Sequence, residues 1–346
     1  MRAMILAAGY GTRLWPLTVD RTKPAIPFLG RPLVGYVAEY LSHYGIREVV
    51  VNLHHRPESV RAALGDGSRF GVRLDYVEEP EILGTSGAID NARHLLEGDT
   101  FIVVNGKIVT DINLFEALET HRRTNALATL VLRRNIARER FTVVETGDHL
   151  VTGFNGMPAP ASDNAGNEVS QKEKGQAHEN GSEDEQSAPL MFTGIQILEP
   201  RIFDYIPRGR VSHSVTDVYI PAITQGERIA AHIAGGMWYE LSTIRRYLDI
   251  SVALLGREGR SVEVGSGCEV SPAAEVSETI LWDNVKVEAG ARLHRAVIGD
   301  GVKIGGGEVF ENVAIVRAEL VRDVGPPPKA LKGSVRGENF VVSLAE

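Results

Sequence analysis

Two glycines, Gly9 and Gly11, precede Arg13 in the stretch Gly9-Tyr-Gly-Thr-Arg-Leu-Trp-Pro-Leu-Thr18, and Lys23-Pro24 follows shortly after. Glycines let successive backbone N–H groups turn toward one anion, and an arginine and a lysine at fixed offsets add positive charge. The chemistry this suits is holding a phosphate chain. It is not the dinucleotide fingerprint, whose third glycine would fall where Leu14 stands. It is not a Walker loop either, because no Gly-Lys-Ser/Thr follows.

Such a loop needs a strand to end on. Ala3 to Ala8 is a short apolar run, and similar runs recur at Val49 to Leu53, Val72 to Val77 and Phe101 to Asn105. Helix-like segments separate them near Leu33 to His43, Glu58 to Leu64 and Ser86 to Leu96. Strands alternating with helices predict an α/β, Rossmann-like domain with a mixed, mainly parallel sheet. Ligands in such sheets bind in the loops at the strand ends.

The chain has 346 residues, enough for about two domains. With 43% hydrophobic and 24% charged residues it has the make-up of an ordinary globular protein. No apolar run approaches the ~20 residues that span a bilayer, and Ile5 to Ala8 is too short for a secretion signal. A net charge of −8 argues against nucleic acid as a partner. A single cysteine, Cys268, excludes an internal disulfide framework. A cytoplasmic protein, with neither membrane nor nucleic acid among its partners, is the expectation.

Residues Ala159 to Pro189 carry seven carboxylates and one large aliphatic side chain, Val169. Too little apolar surface offsets the entropy of ordering, so this stretch reads as a disordered insertion. Regular structure resumes at Leu190 to Ile197, and a helix is expected from about Ser242 to Leu255. After Arg260 the period changes. Val264, Val270, Val276 and Trp282 fall at steps of six, continued by Val287 and Leu293, Ile298 and Ile304, Val309 and Ile315, with five-residue slips between pairs. Glycines mark the turns. This is the pattern of a short left-handed parallel β-helix. The expected domains are therefore 1–257 and 258–346, the latter a β-helix and tail. Pro326 to Pro328 must lead the chain out of the coil and back onto it or onto a neighbour.

The segment Ala8-Gly9-Tyr10-Gly11-Thr12-Arg13-Leu14-Trp15-Pro16-Leu17-Thr18 with Lys23-Pro24 resembles the signature loop of the sugar-1-phosphate nucleotidyltransferases, the nucleotide-sugar pyrophosphorylases. Leu83-Gly84-Thr85-Ser86-Gly87, with Glu79 before it, is similar to the family's base-binding loop. Val103-Val104-Asn105-Gly106 followed by Ile108-Val109-Thr110-Asp111 resembles its metal-site strand, and Thr193-Gly194 and Trp238 to Thr243 resemble later motifs. The hexapeptide tail points to the branch containing mannose-1-phosphate guanylyltransferases.

The resemblance implies attack of a sugar 1-phosphate on the α-phosphorus of a nucleoside triphosphate, giving a nucleotide-sugar and pyrophosphate. It implies Arg13 and Lys23 as catalytic residues. It assigns the nucleotide to Ala7, Ala8, Gly9, Gly11, Thr12, Glu79, Gly84 and Thr85, with Glu79 and Gly84 reading the base. It places the sugar among Asn105, Thr142, Gly156, Met157, Thr193 and Gly194. It also implies Mg²⁺ between two aspartates. Here Lys107 replaces one ligand and Glu240 the other, leaving Glu240 and Asp111 as the candidate ligands. Lysine has three donors and no acceptor, so it cannot bind the ion. On the sugar side the family's Phe-x-Glu-Lys-Pro is Phe154-Asn155-Gly156-Met157-Pro158, and a family glycine is Thr142. These changes are one-sided. A second reading is therefore a catalytically silent nucleotide-sugar-binding regulatory or sensor homologue. Either form is expected to assemble as a homo- or hetero-oligomer through the β-helix.

Other residues read more plainly. His294 is expected to face solvent, His54-His55 to belong to a loop, Trp282 to pack, and Arg245-Arg246 to be surface charges.

Overall fold

The computed structural model describes residues 1–158 and 186–345. The predicted insertion falls outside the described residues up to position 185. Its last residues are part of the fold: Ala188 is buried, and the Pro189 carbonyl accepts the Asn135 N–H at 2.8 Å. No described helix is long and apolar enough to cross a membrane.

The described chain forms two compact units. One holds Ala3–Ile82, Asn105–Asp111 and Met237–Glu346. Its strands Arg2–Leu6, Glu48–Leu53 and Arg73–Glu78 run parallel, with Ala3 beside Val49 and Glu48 beside Arg73. The helices Leu33–His43 and Pro57–Leu64 connect them, as the alternating pattern requires. Ala3, Met4 and Ile5 are fully buried, so this first strand is interior on both faces.

The other unit holds Met1–Arg2, Leu83–Val104 and Ile112–Gly236. Here the expectation of a mainly parallel sheet fails. The strand Leu190–Leu198 is antiparallel to both Phe101–Asn105 and Ala128–Arg134, and only Ile229–Ile233 lies parallel to the latter. An all-buried apolar strand looks the same in either direction, so its sequence carried no sign of polarity. The predicted Ser86–Leu96 helix is also two pieces, Ser86–Asn91 and Arg93–Leu96, separated at Ala92.

In the first unit the hexapeptide segment forms parallel ladders in which each residue pairs with the one seventeen positions later. Val262 lies beside Thr279, Ile280 beside Val297, and Lys286 beside Lys303. Two steps of six and one of five make up each coil. Val287, Leu293, Ile298, Ile304 and Ile315 point inward as expected, whereas Trp282 is buried on the outer face of the coil beside Tyr247 and its neighbour Leu281 points inward. Val309 does not: it is 63% exposed, and its neighbour Phe310 takes the inward place. Val264 and Val270 are in register with the inward Leu281 and Val287, and are 51% and 37% exposed because they sit on the first coil, at the end of the stack.

The helix Ile244–Arg257 starts at Thr243, whose hydroxyl accepts the Arg246 N–H at 3.2 Å. It packs Tyr247 and Leu248 into one core with Leu14, Leu17 and Ile26 and with Trp282, Val297 and Ala314 of the coils. Tyr247 donates to the Pro27 carbonyl at 2.6 Å and accepts from Trp282 Nε1 at 3.1 Å. The segment carrying the glycine loop thus rests directly on the coiled segment.

Candidate functional site

The glycine loop leaves a buried strand and is fixed from behind. Ala7 donates its N–H to Asn52 Oδ1 at 2.7 Å, and Asn52 Nδ2 donates to Glu79 Oε1 at 2.5 Å. Asn52 and Glu79 are almost wholly buried, and the Glu79 carbonyl is 2.8 Å from His54 Nδ1. The resemblance had Glu79 reading the base. Here its buried carboxylate accepts from Asn52, which in turn accepts the Ala7 N–H. A carboxylate 27 residues from its amide partner leaves no local signal in the sequence.

Ala7 and Ala8 are buried, whereas Gly9 and Arg13 face out. Gly11 has φ +67°, and a Cβ there would lie 2.8 Å from Lys23 Cβ. The turn Thr12–Leu14 follows, with Leu14 N–H donating to the Gly11 carbonyl at 2.9 Å. Gly11→Ala is accordingly expected to lose about 1–3 kcal/mol of stability in urea unfolding, from the left-handed backbone and the collision together.

Lys23 is only 8% exposed. Burial first, then the like charges of Lys107, Arg13 and Arg246, push its ammonium down to about 7, against the opposing pull of Glu240. Lys107 Nζ lies 2.7 Å from Glu240 Oε1, the ion pair expected if lysine occupies a ligand position. Burial acts to raise the Glu240 carboxyl. The Lys107 ammonium, with Lys23 and Arg13, outweighs that and holds it below its ordinary value. Arg246 donates from Nε to the Glu240 carbonyl at 2.7 Å. It is therefore part of this cluster rather than the surface charge expected from sequence. Four cations around one carboxylate make a strongly anion-attracting site.

Lys23 gives a pH dependence whose sign follows directly. Its folded value is depressed, so between about 7 and the ordinary lysine value the unfolded chain binds more protons. The Lys23 contribution to stability should therefore rise as pH increases through that window. A bound polyanion favours the charged amine, so nucleotide binding at pH 8 should take up protons. Calorimetry in two buffers of different ionisation enthalpy reads that uptake.

The residues at the metal position do not fit Mg²⁺. An ammonium occupies one oxygen of Glu240, and a cation beside a divalent cation is repulsive. Asp111 does not replace the lost ligand. It stands at the Met237 end of the short ladder, three positions from Glu240, or about 10 Å at ~3.4 Å per residue. Among the described residues no group of three or more His, Cys, Asp or Glu could hold a metal. Asn105 is half-buried in this same unit.

In the other unit Gly84, at φ +79°, sits where a Cβ would lie 2.3 Å from the Ser212 carbonyl. Ser212 clasps the loop: its N–H donates to Leu83 O at 2.9 Å, and its carbonyl accepts from Ser86 and Gly87. The Ser214 N–H donates to Thr85 Oγ1 at 2.7 Å. This Ser212–Ser214 support was not singled out in the sequence, although two serines flanking a histidine before a helical turn are a readable cue. Thr193 is buried, donating to the Val131 carbonyl at 2.7 Å, and Gly194 takes φ +83° at a break in strand register. Thr142 is exposed, and Met157 is 52% exposed on a tight turn with Phe154. The Gly156 N–H donates to Glu145 Oε1 at 2.6 Å.

Of the remaining plain readings, Trp282 packs as expected, and His294, partly exposed, has its Nδ1 3.0 Å from Ser277 Oγ at the surface.

The profile of the family described as nucleotidyl transferase matches residues 2–257, well over half of the chain. The chain belongs to the nucleotidyl transferase family. A second profile, the GlmU-like C-terminal hexapeptide, matches residues 252–320. Among relatives of this nucleotidyl transferase, a UTP–glucose-1-phosphate uridylyltransferase of Synechocystis is 30% identical over 88% of this chain and 76% of its own. A mannose-1-phosphate guanylyltransferase of Mycobacterium tuberculosis is 29% identical over 89% of this chain and 82% of its own. An N-acetylmuramate alpha-1-phosphate uridylyltransferase of Neisseria meningitidis is 32% identical over 71% and 95%. The crystal structure of HddC from Yersinia pseudotuberculosis shares the fold, with a TM-score of 0.56 at 21% identity, covering 73% of this chain and 99% of that one.

Proposed function

We propose that this nucleotidyl transferase moves a nucleotidyl group from a nucleoside triphosphate to a sugar 1-phosphate, making a nucleotide-sugar and pyrophosphate. The observation carrying this is the cation cluster of Arg13, Lys23, Lys107 and Arg246 behind a glycine loop. Phosphoryl transfer asks a protein mainly for in-line positioning and charge neutralisation. The backbone N–H groups of the Gly9 to Thr12 loop and the Arg13 guanidinium would hold the triphosphate. Lys23, recharged by the incoming anion, would face the α-phosphate and stabilise the charge gathering there. Lys107 would supply a fixed positive charge that needs no ion.

We read residues 1–257 as the transferase domain and the seventeen-residue coils as a left-handed parallel β-helix that serves assembly, in a protein working in the cytoplasm. The base and the sugar differ among the relatives, so GTP with mannose 1-phosphate and UTP with glucose 1-phosphate are both candidate pairs. The Lys107–Glu240 pair and the exposed Met157 favour one further reading, a homologue that binds nucleotide-sugar without turnover. A pyrophosphate-release assay over GTP, UTP and dTTP with both sugar phosphates tests the proposal, with melting curves run in parallel. Release above background supports transfer. A nucleotide-induced melting shift without release supports the silent reading. The absence of both overturns the two together.

A further inference from the structure

Four buried side-chain nitrogen or oxygen atoms among the described residues have no hydrogen-bond partner, and three of them belong to residues lining one cavity: Trp15 Nε1, Arg317 Nε and Asn339 Oδ1. The cavity measures about 1150 Å³, ample for a small metabolite. Trp15 and Asn339 are each 95% buried. An unpartnered buried polar atom costs about 1–3 kcal/mol, and native proteins seldom concentrate such atoms without a use. The wall also carries Lys303, Arg322 and Lys332, none with a carboxylate partner among the described residues, while Arg317 is paired with Glu319. An apolar side is formed by Leu331, Val335 and Phe340.

We infer that this cavity is a binding site for a small hydroxylated organic phosphate, separate from the triphosphate loop. The phosphate would meet Lys303, Arg322 and Lys332. The Trp15 and Arg317 N–H groups and Asn339 Oδ1, closed off as the wall now stands, would reach the ligand after small side-chain turns, and the apolar wall would cover a ring face. About two thirds of this lining comes from residues beyond 320, outside both matched family profiles, so the site belongs to this chain's own tail. Trp15 lies two residues past Arg13 across the Thr12–Leu14 turn, and its ring meets Phe340 edge-on at 5.3 Å. Occupancy would therefore set the position of the phosphate loop.

Melting curves with millimolar glucose 6-phosphate, inorganic phosphate and glucose test the site on the full chain. Glucose 6-phosphate should raise the melting temperature by several degrees, inorganic phosphate by less, and glucose not at all. The rise should persist in Arg13→Ala and disappear in Lys332→Glu. Lys332 is exposed on the tail, so Lys332→Glu should melt like the parent without ligand. Arg317→Met serves as a second variant that should also lose the response. No shift with either phosphate overturns the inference. A shift lost in Arg13→Ala and kept in both tail variants overturns it as well, by placing the anion in the triphosphate loop.

Discussion

Lys107→Asp is expected to make the melting temperature depend on Mg²⁺ where that of the parent does not. In the parent the Lys107 ammonium neutralises Glu240 at 2.7 Å. Aspartate there would set two carboxylates side by side, an arrangement that is stable only when protonated or bridged by a divalent cation. Without Mg²⁺ the variant should melt several degrees below the parent. With millimolar Mg²⁺ and nucleotide it should recover most of that loss, while the parent's melting temperature should not respond to Mg²⁺. Lys107→Ala provides the control. It strands a buried carboxylate and should cost about 1–2 kcal/mol, less than a fully buried pair because the lysine is 37% exposed. A parent that already shows the variant's Mg²⁺ response would mean that Lys107 leaves the ion's place open.

Lys23→Met should separate stability from function more sharply than any other change. The buried amine is held near its titration point by desolvation and three neighbouring cations. Methionine fills a similar volume and relieves that repulsion, so the ligand-free protein should melt no lower than the parent, and higher near pH 7. The same change removes the charge that we propose faces the transferring phosphate. Loss of one preorganised electrostatic contact of this kind typically costs 10²–10³-fold in turnover. Pyrophosphate release should fall by about that factor while the melting temperature holds or rises. Unchanged release would remove Lys23 from the reaction.

The loop that carries this chemistry was legible in the sequence because its requirements are local. Gly11 needs a left-handed backbone beside Lys23, and both residues lie in one short stretch. The supports were not legible, because they come from afar. Asn52 and Glu79 reach Ala7 across two strands, and Ser212 secures Gly84 from more than a hundred residues away. Arg246 looked like surface charge until the turn at Thr243 brought it back onto Glu240. In the coils the six-residue step was visible, yet it misplaced Trp282 and Val309 by one residue each. Adjacent apolar residues such as Val309 and Phe310 compete for one inward position, and the larger ring took it.

The last coil strand, Val309–Arg317, is nine residues long, and beyond it the chain turns and lays Asn339–Ser343 antiparallel along it, with Gly333–Arg336 outside that. A stack of parallel coils would otherwise end in a bare row of N–H and C=O groups, ready to recruit a strand from any passing chain. The reversal of direction acts as a stopper. It closes the stack with a short hairpin whose outer strand is exposed, begun by a glycine and ended by an arginine. Growth by end-to-end stacking is thereby denied at this end of the coil. Any association of copies through the coils must use their flanks or their first turn. A chain cut after Leu320, where the hexapeptide match stops, would lose the stopper and leave the edge open to aggregation.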